Sequence, residues 1–251
     1  MDLGLAGKRA VVTGGSRGIG KMIARQLALE GVDVAIAART REALESTAEE
    51  LAQETARKIV PIVADVSDDQ SVDAMVDAAV NALGGVDILI NNAAVPGGRK
   101  VAVIEQMQVR DLLADIDIKI GGYLRAARAA TPHMVKAGWG RIISIGGLGA
   151  RLSGNYNAAI RTAGVTALTK NLADELGRKG VCAMAIHPGV MPTDAMPADV
   201  QKNLAAATSS GQLFDPSTIA WLATILASPR STALNGQTIQ AGGGIKGIIE
   251  Y

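Results

Sequence analysis

The stretch GNYNAAIRTAG (154–164) sets a phenol, Tyr156, five residues ahead of a guanidinium, Arg161. A phenol exchanges protons near neutral pH only when its pKa is strongly lowered, and a cation one helical turn away is the usual means. Here the residue four places on is Ile160, and the basic residue arrives one position late. At about 100° per residue, Arg161 lies on another face of a helix, from which it supplies positive charge but not an aligned partner. Lys119 is a second source of an ammonium. It follows Asp115 by four residues, so an ordinary surface ion pair is an equally weighted reading of it. His187 ends an apolar run just before Pro188-Gly189 and is a candidate acid, with a satisfied core histidine the better bet. Cys182, in the same run VCAMAIHPG, reads as a small core residue rather than a nucleophile. No metal-ligand spacing is present.

A second kind of chemistry is written in TGGSRGIG (13–20). Gly14 permits a tight turn, Gly18 and Gly20 let backbone and helix approach closely, and Ser16, Arg17 and Ile19 fill the loop between them. If a strand precedes this loop and a helix follows it, the helix N-terminus faces a pyrophosphate. A glycine-rich turn alone is weak evidence. The strand-loop-helix context is what makes it specific.

That context is what the rest of the chain predicts. Seven apolar runs read as strands: 9–14, 32–38, 59–64, 86–92, 141–147, 181–187 and 237–242. Between them, 17–30, 41–55, 69–83, roughly 107–136, 156–178 and 215–228 carry helical spacing. Strands separated by helices imply right-handed crossovers and a doubly wound parallel sheet of the Rossmann type, with helices on both faces. Ligands then bind beyond the carboxyl ends of the strands, where the strand order reverses. No linker, charge block or repeat divides the 251 residues, so a single domain over 1–251 is expected. The irregular piece 189–214, with its prolines and small residues, is expected to be a mobile lid.

Composition narrows the classes. Apolar residues make up 48 % of the chain but aromatics only 2 %, a mix that suits buried parallel strands under Ala-rich helices. A net charge of +1 offers no electrostatic case for nucleic acid or an anionic membrane. No apolar stretch reaches membrane-spanning length, and MDLGLAGKRAVVTGG enters a strand without a cleavable signal, so a cytoplasmic protein is expected.

The wide Gly-x-x-x-Gly-x-Gly spacing at 14–20 resembles the short-chain dehydrogenase/reductase family, and the resemblance runs essentially end to end. DVS after the third strand resembles the family's adenine contact, which implies that role for Asp65 and Val66. NNAA (91–94) resembles its Asn-Asn-Ala-Gly, with Ala94 for the glycine, and implies cofactor contacts at Asn91 and Ala93. HPGVMPT (187–193) matches its Pro-Gly-x-x-x-Thr segment, placing Pro188, Gly189 and Thr193 at the nicotinamide end. NGQTIQAGGG (235–244) resembles its closing strand, with Gly242 replacing a common aspartate. A cofactor 2′-phosphate needs cations where NAD-dependent proteins keep a carboxylate. Arg39 stands at that position and Arg17 in the glycine loop, which favours NADP(H).

The resemblance also fixes a register for the family's catalytic residues. TAGVTALTKNLADELGRKGV (162–181) runs without a gap from the lysine position, which falls on Thr162, so the tyrosine position is Ala158. The serine position is Gly147 and the asparagine position Lys119. All four are replaced, so the fold and cofactor site carry over and the mechanism does not. Tyr156, two residues early, points some 200° from the usual direction and recovers only if 153–157 is still loop. A partly buried tyrosine closing a pocket wall is the other reading. Lys119, with its long side chain, is placed to return an ammonium to the site. Two functions follow. One is an NADP(H)-dependent oxidoreductase acting on a small carbonyl or alcohol through a rebuilt proton relay. The other is a non-catalytic NADP(H)-binding sensor or partner protein. The resemblance further implies a homo-dimer or homo-tetramer, packing through the Ala-rich faces of YLRAARAATPHM and AGVTALTKNLADEL.

Overall fold

The sheet positions everything else. In the computed structural model, which describes residues 2–95, 103–148, 154–192 and 196–246, the elements run β1 (Arg9–Thr13), α1 (Gly18–Leu29), β2 (Asp33–Ala38), α2 (Arg41–Thr55), β3 (Ile59–Val63), α3 (Asp69–Leu83), β4 (Ile88–Asn91), α4 (Val109–Ile116), α5 (Gly122–Ala137), β5 (Gly140–Ile145), α6 (Tyr156–Leu176), β6 (Val181–Pro188), α7 (Ala198–Ala206), α8 (Pro216–Ala227) and β7 (Thr238–Ala241). The strands form one parallel sheet in the order β3-β2-β1-β4-β5-β6-β7. The order reverses between β1 and β4, which opens the crevice where ligands bind in such sheets.

Alternation along the strands divides the core into two layers. Ala10, Val12, Ile88, Ile90, Ile143 and Ile145 pack with Ile23, Leu27, Leu44 and Ile219 of α1, α2 and α8. Val11, Leu89, Ile142 and Ala183 face the other way, onto Met75, Ala126, Ala130 and Leu176 of α3, α5 and α6. Period-two side-chain direction and burial on both faces explain why the strands read as continuous apolar runs.

Three expectations change in the structure. The helix expected over 107–136 is broken: α4 stops at Ile116, and Asp117–Gly121 forms a π-helical turn. There the Gly122 N–H reaches back five residues to the Asp117 carbonyl. Arg125 stabilises the wide turn, donating to the Asp117 carbonyl at 3.3 Å and to its carboxylate at 2.7 Å. Second, the segment read as irregular lid holds the nine-residue α7. Its end is tied to the C-terminal stretch by an antiparallel bridge, Thr208 to Ile245. Third, the alanines of α5 expected at a subunit contact (Ala126, Ala127 and Ala130) are already buried against the protein's own sheet. On α4, α5 and α6 the exposed aliphatic residues are instead Val109, Leu113, Leu124 and Ile160. Among the described residues, no helix is long and apolar enough to cross a membrane.

Candidate functional site

The cofactor end of the crevice is built where the loops after β1 and β4 are tied together. The Thr13 hydroxyl accepts the N–H groups of Asn92 and Ala93 at 3.0 and 3.2 Å, and Asn92 Nδ2 returns to the Thr13 and Gly14 carbonyls. Gly14 has φ +67°, and a Cβ there would press on Asn92 Nδ2 at 2.8 Å and Ala93 Cα at 3.0 Å. Only glycine meets both demands. Ser16 is held from the other side, its carbonyl accepting the Thr47 hydroxyl at 2.9 Å. Ile19, in the first turn of α1, packs on the core.

The start of α1 is left open for an anion. Arg17 occupies the cap position in an extended conformation with no side-chain cap, and the first turn holds no acidic residue. A side chain at Gly18 would meet nothing within 4 Å. Its first-turn N–H groups therefore face free space with the positive end of the helix dipole behind them. Arg17 and Arg39 are both exposed, and neither guanidinium makes a hydrogen bond or ion pair among the described residues. Asp65 is anchored by the N–H and hydroxyl of Ser67 at 2.9 and 2.7 Å. Those bonds hold its carboxyl below the usual range, with the Arg39 and Arg125 charges adding to the effect. The Val66 carbonyl accepts from Arg125 at 3.3 Å. Deeper in, Asn91 is fully buried, its amide donating to the Tyr123 carbonyl at 3.4 Å, while its Oδ1 has no partner. An uncapped helix start, open space at Gly18 and an orphaned acceptor at Asn91 fit a nicotinamide dinucleotide.

At the far end of the crevice, Pro188 closes β6, and the Gly189 N–H donates to the Ala241 carbonyl at 2.9 Å. The backbones of Gly189 and Gly242 run so close that a Cβ on either would stand 2.6 Å from the other's Cα. Gly242 in place of an aspartate is thus a requirement of this close approach. Thr193 lies outside the described residues.

Gly147 and Thr162, two of the positions aligned by the resemblance, lie beside each other. A Cβ on Gly147 would meet Thr162 Oγ1 at 3.7 Å, so the positions aligned with serine and lysine are neighbours in space. His187 is committed to structure: Nδ1 accepts the Gly147 N–H at 3.0 Å, and Nε2 pairs with the Thr166 hydroxyl at 2.9 Å. That network assigns the proton to Nε2. Cys182 is buried in the core.

Tyr156 does not occupy a loop. It is the first residue of α6, whose cap Asn155 accepts the Ala158 N–H at 3.0 Å, and it is 47 % exposed. Lys119 does not form the surface pair with Asp115. It lies in the π-helical turn at 4 % exposure, its ammonium 4.8 Å from the centre of the Tyr123 ring. The Tyr123 hydroxyl is taken, donating to the Ile145 carbonyl at 2.8 Å. Asp115 pairs instead with Arg161, Nη1 to Oδ1 at 2.9 Å, and the same Nη1 reaches the Val95 carbonyl at 3.4 Å. Burial, and then the nearby Arg161 charge, bring the Lys119 pKa down from 10.5 to about 7, against a smaller opposing pull from Asp115. The structure therefore brings Lys119 and Arg161 together and leaves Tyr156 apart at the surface. Two residues here were not anticipated: Asp115 as Arg161's partner, and Asn157, one helical turn before Arg161 on α6 and buried with both amide atoms unpartnered. Asp115 was visible only as an i−4 neighbour of Lys119, and nothing in the sequence marks Asn157.

Comparison with known proteins agrees with this geometry. The short chain dehydrogenase family pattern matches residues 8–204. The 3-oxoacyl-(acyl-carrier-protein) reductase of Vibrio cholerae is 32 % identical over 97 % of this chain and 99 % of its own. A dehydrogenase/reductase of Sinorhizobium meliloti superposes with a TM-score of 0.88 at 33 % identity, covering 97 % of this chain and 96 % of that one. The L-sorbose reductase of Gluconobacter frateurii, solved with NADPH and L-sorbose, gives a TM-score of 0.92 at 26 % identity over 99 % and 100 %. With the family pattern covering most of the chain and the cradle for a dinucleotide in place, the chain belongs to the short-chain dehydrogenase family of oxidoreductases.

Proposed function

We propose that the protein is an NADP(H)-dependent oxidoreductase of a small carbonyl or alcohol in which Lys119 carries the proton. The observation behind this reading is the drawn-in Lys119, buried beside Arg161 with its pKa near 7. A group poised at neutral pH both gives and takes a proton, as a general acid–base must. Arg161 supplies the second charge and adds to the burial that holds the pKa of Lys119 down, and Tyr156 forms part of the outer wall. Gly14, Ser16, Gly18, Ile19 and Gly20 cradle the pyrophosphate, and Arg17 and Arg39 take the 2′-phosphate. Asp65 and Val66 hold the adenine. Asn91, Ala93, Pro188, Gly189 and Thr193 hold the nicotinamide end. When bound, the cofactor supplies or accepts hydride.

The reductase crystallised with NADPH and the 3-oxoacyl reductase relatives support both the cofactor and the carbonyl class. The chain works as one domain in the cytoplasm, with 189–214 closing over the substrate, and as a homo-dimer or homo-tetramer. The test is NADPH oxidation across a carbonyl panel beside a direct NADPH titration. Turnover that drops roughly 10²-fold or more in Lys119→Ala, with NADPH affinity little changed, is the expected result. Tight NADPH binding with no turnover on any carbonyl would overturn the enzyme reading in favour of a binding protein.

A further inference from the structure

The polar cluster around Lys119 holds more than a proton carrier needs. Two helices contribute two side chains each, at i and i+4: Asp115 and Lys119 from α4 and the π-helical turn, Asn157 and Arg161 from α6. The helices are held together by the Asp115–Arg161 ion pair and by Ile120, which packs where Gly164 has no side chain. Asn157 is 2 % exposed, yet neither its Nδ2 nor its Oδ1 has a partner, and Asp115 Oδ2 is likewise unpartnered and buried. Leaving a buried amide unpaired costs on the order of 1–3 kcal/mol per group. The Asn157 Nδ2 is a donor that a ligand oxygen satisfies, whereas Asp115 Oδ2 accepts only and calls for a donor.

Charge points to the ligand's sign. Lys119 and Arg161 are two cations against the single carboxylate of Asp115. The other ionisable groups nearby do not alter this count. Asp117 of the π-helical turn is paired with Arg125 at 2.7 Å, and Asp111, further along α4, is also engaged. Tyr123 of α5 is neutral, its pKa raised well above 10.0 by burial, and Tyr156 is at the surface. A buried excess positive charge is unfavourable, and the chain relieves it by weakening the hold of Lys119 on its proton. One added negative charge balances the cluster, whereas a dianion would overshoot. The guanidinium of Arg161 makes its bonds to Asp115 and Val95 through Nη1 alone. Its Nε–Nη2 edge is left for the forked contact a carboxylate makes.

The geometry points to a carboxylate subsite: Arg161 and Asn157 receive the carboxylate of a small oxo acid, and its negative charge keeps Lys119 protonated for the neighbouring carbonyl. The subsite deepens the reductase reading and rests on it for the identity of the carbonyl. Substrate binding and proton uptake are then coupled, so that an acid substrate raises the share of Lys119 that is protonated.

The test uses oxamate, a non-reducible mimic of a 2-oxo acid, and the neutral oxamide, each titrated calorimetrically at pH 7.5 in buffers of different ionisation heat. Oxamate is expected to bind roughly tenfold or more tightly than oxamide, as for loss of a charge-assisted contact, and to draw in up to one proton. Lys119→Met should abolish the proton uptake. Asn157→Leu should weaken oxamate without lowering the melting temperature, because the lost amide had no partners, and this keeps the test valid if Arg161→Gln fails to fold. Equal affinity for oxamate and oxamide, or oxamate binding without proton uptake, overturns the subsite. A parallel comparison of NADPH oxidation with 2-oxobutanoate and its ethyl ester separates the two readings. Equal reduction of both overturns the subsite and leaves the reductase standing. Oxamate binding with no carbonyl reduced keeps the anion subsite and overturns the reductase.

Discussion

Arg161 Nη1 lies 2.9 Å from Asp115 Oδ1, both side chains largely covered, and this pair sets a second positive charge beside Lys119, whose own burial is the larger cause of its lowered pKa. With Asp115 engaged by α6, Lys119 is buried against the Tyr123 ring beside a second positive charge.

Breaking the pair should be costly. Arg161→Leu removes the hydrogen-bonded partner of a buried carboxylate and leaves Lys119 as its remaining cation, so a loss below the about 3–5 kcal/mol of a fully uncompensated buried charge is expected. Urea denaturation of the variant checks this. A stability within about 0.5 kcal/mol of the parent, the range of ordinary surface substitutions, would show that the pair is not what holds α4 against α6.

Lys119 sets a pH dependence of stability. Its folded pKa, about 7, lies below its ordinary 10.5, so between these values the unfolded chain binds the extra proton. Stability contributed at this site therefore rises with pH across that window and is lowest below about 7, where both states are protonated. Lys119→Met should raise the denaturation midpoint at pH 6 and lose that advantage by pH 10. A gain independent of pH would contradict the lowered pKa.

Cofactor choice should follow the two unpaired arginines. NADPH should bind roughly tenfold or more tightly than NADH, and Arg39→Asp should reverse the order. Fluorescence titration of the two cofactors decides it, and equal affinities for the parent protein would remove Arg17 and Arg39 from the site.

Gly146 should tolerate no side chain. A Cβ there would collide with His187 Nδ1, the atom that accepts the Gly147 N–H. Gly146→Ala should lose about 1–3 kcal/mol through overpacking, read as a lower thermal midpoint. His187→Ala should destabilise as well, while leaving the pH profile of any turnover in place. A profile that loses a limb would restore His187 as an acid.

Assembly should use the exposed apolar residues of α4, α5 and α6. Leu113 and Leu124 stand in solvent in the isolated chain, and a covered face is the expected state of such a patch. Light scattering should show a dimer or larger at micromolar concentration, with Leu113→Glu shifting it toward monomer. A monomeric parent protein would leave this face without the partner assigned to it.

Much of this molecule was legible in its order of residues. Burial on both faces leaves parallel strands as unbroken apolar runs, so RAVVTG, VDILINN and VCAMAIH announced β1, β4 and β6. Local turn chemistry made TGGSRGIG readable as a glycine-rich loop between β1 and α1, and Gly147 and Thr162, two aligned positions in the sequence, lie side by side in the fold. These are consequences of short-range sterics and side-chain periodicity. What Lys119 and Tyr156 do was not legible, because it depends on contacts between segments far apart in the chain. Asp115 stands four residues from Lys119 but forty-six from Arg161, and only the packing of α4 against α6 settled which cation it serves. The π-helical turn that carries Lys119 inward likewise depends on Arg125 and the neighbouring Val66. An ion pair and a buried charge are decided by the three-dimensional competition for partners and solvent, which no local pattern of residue types encodes.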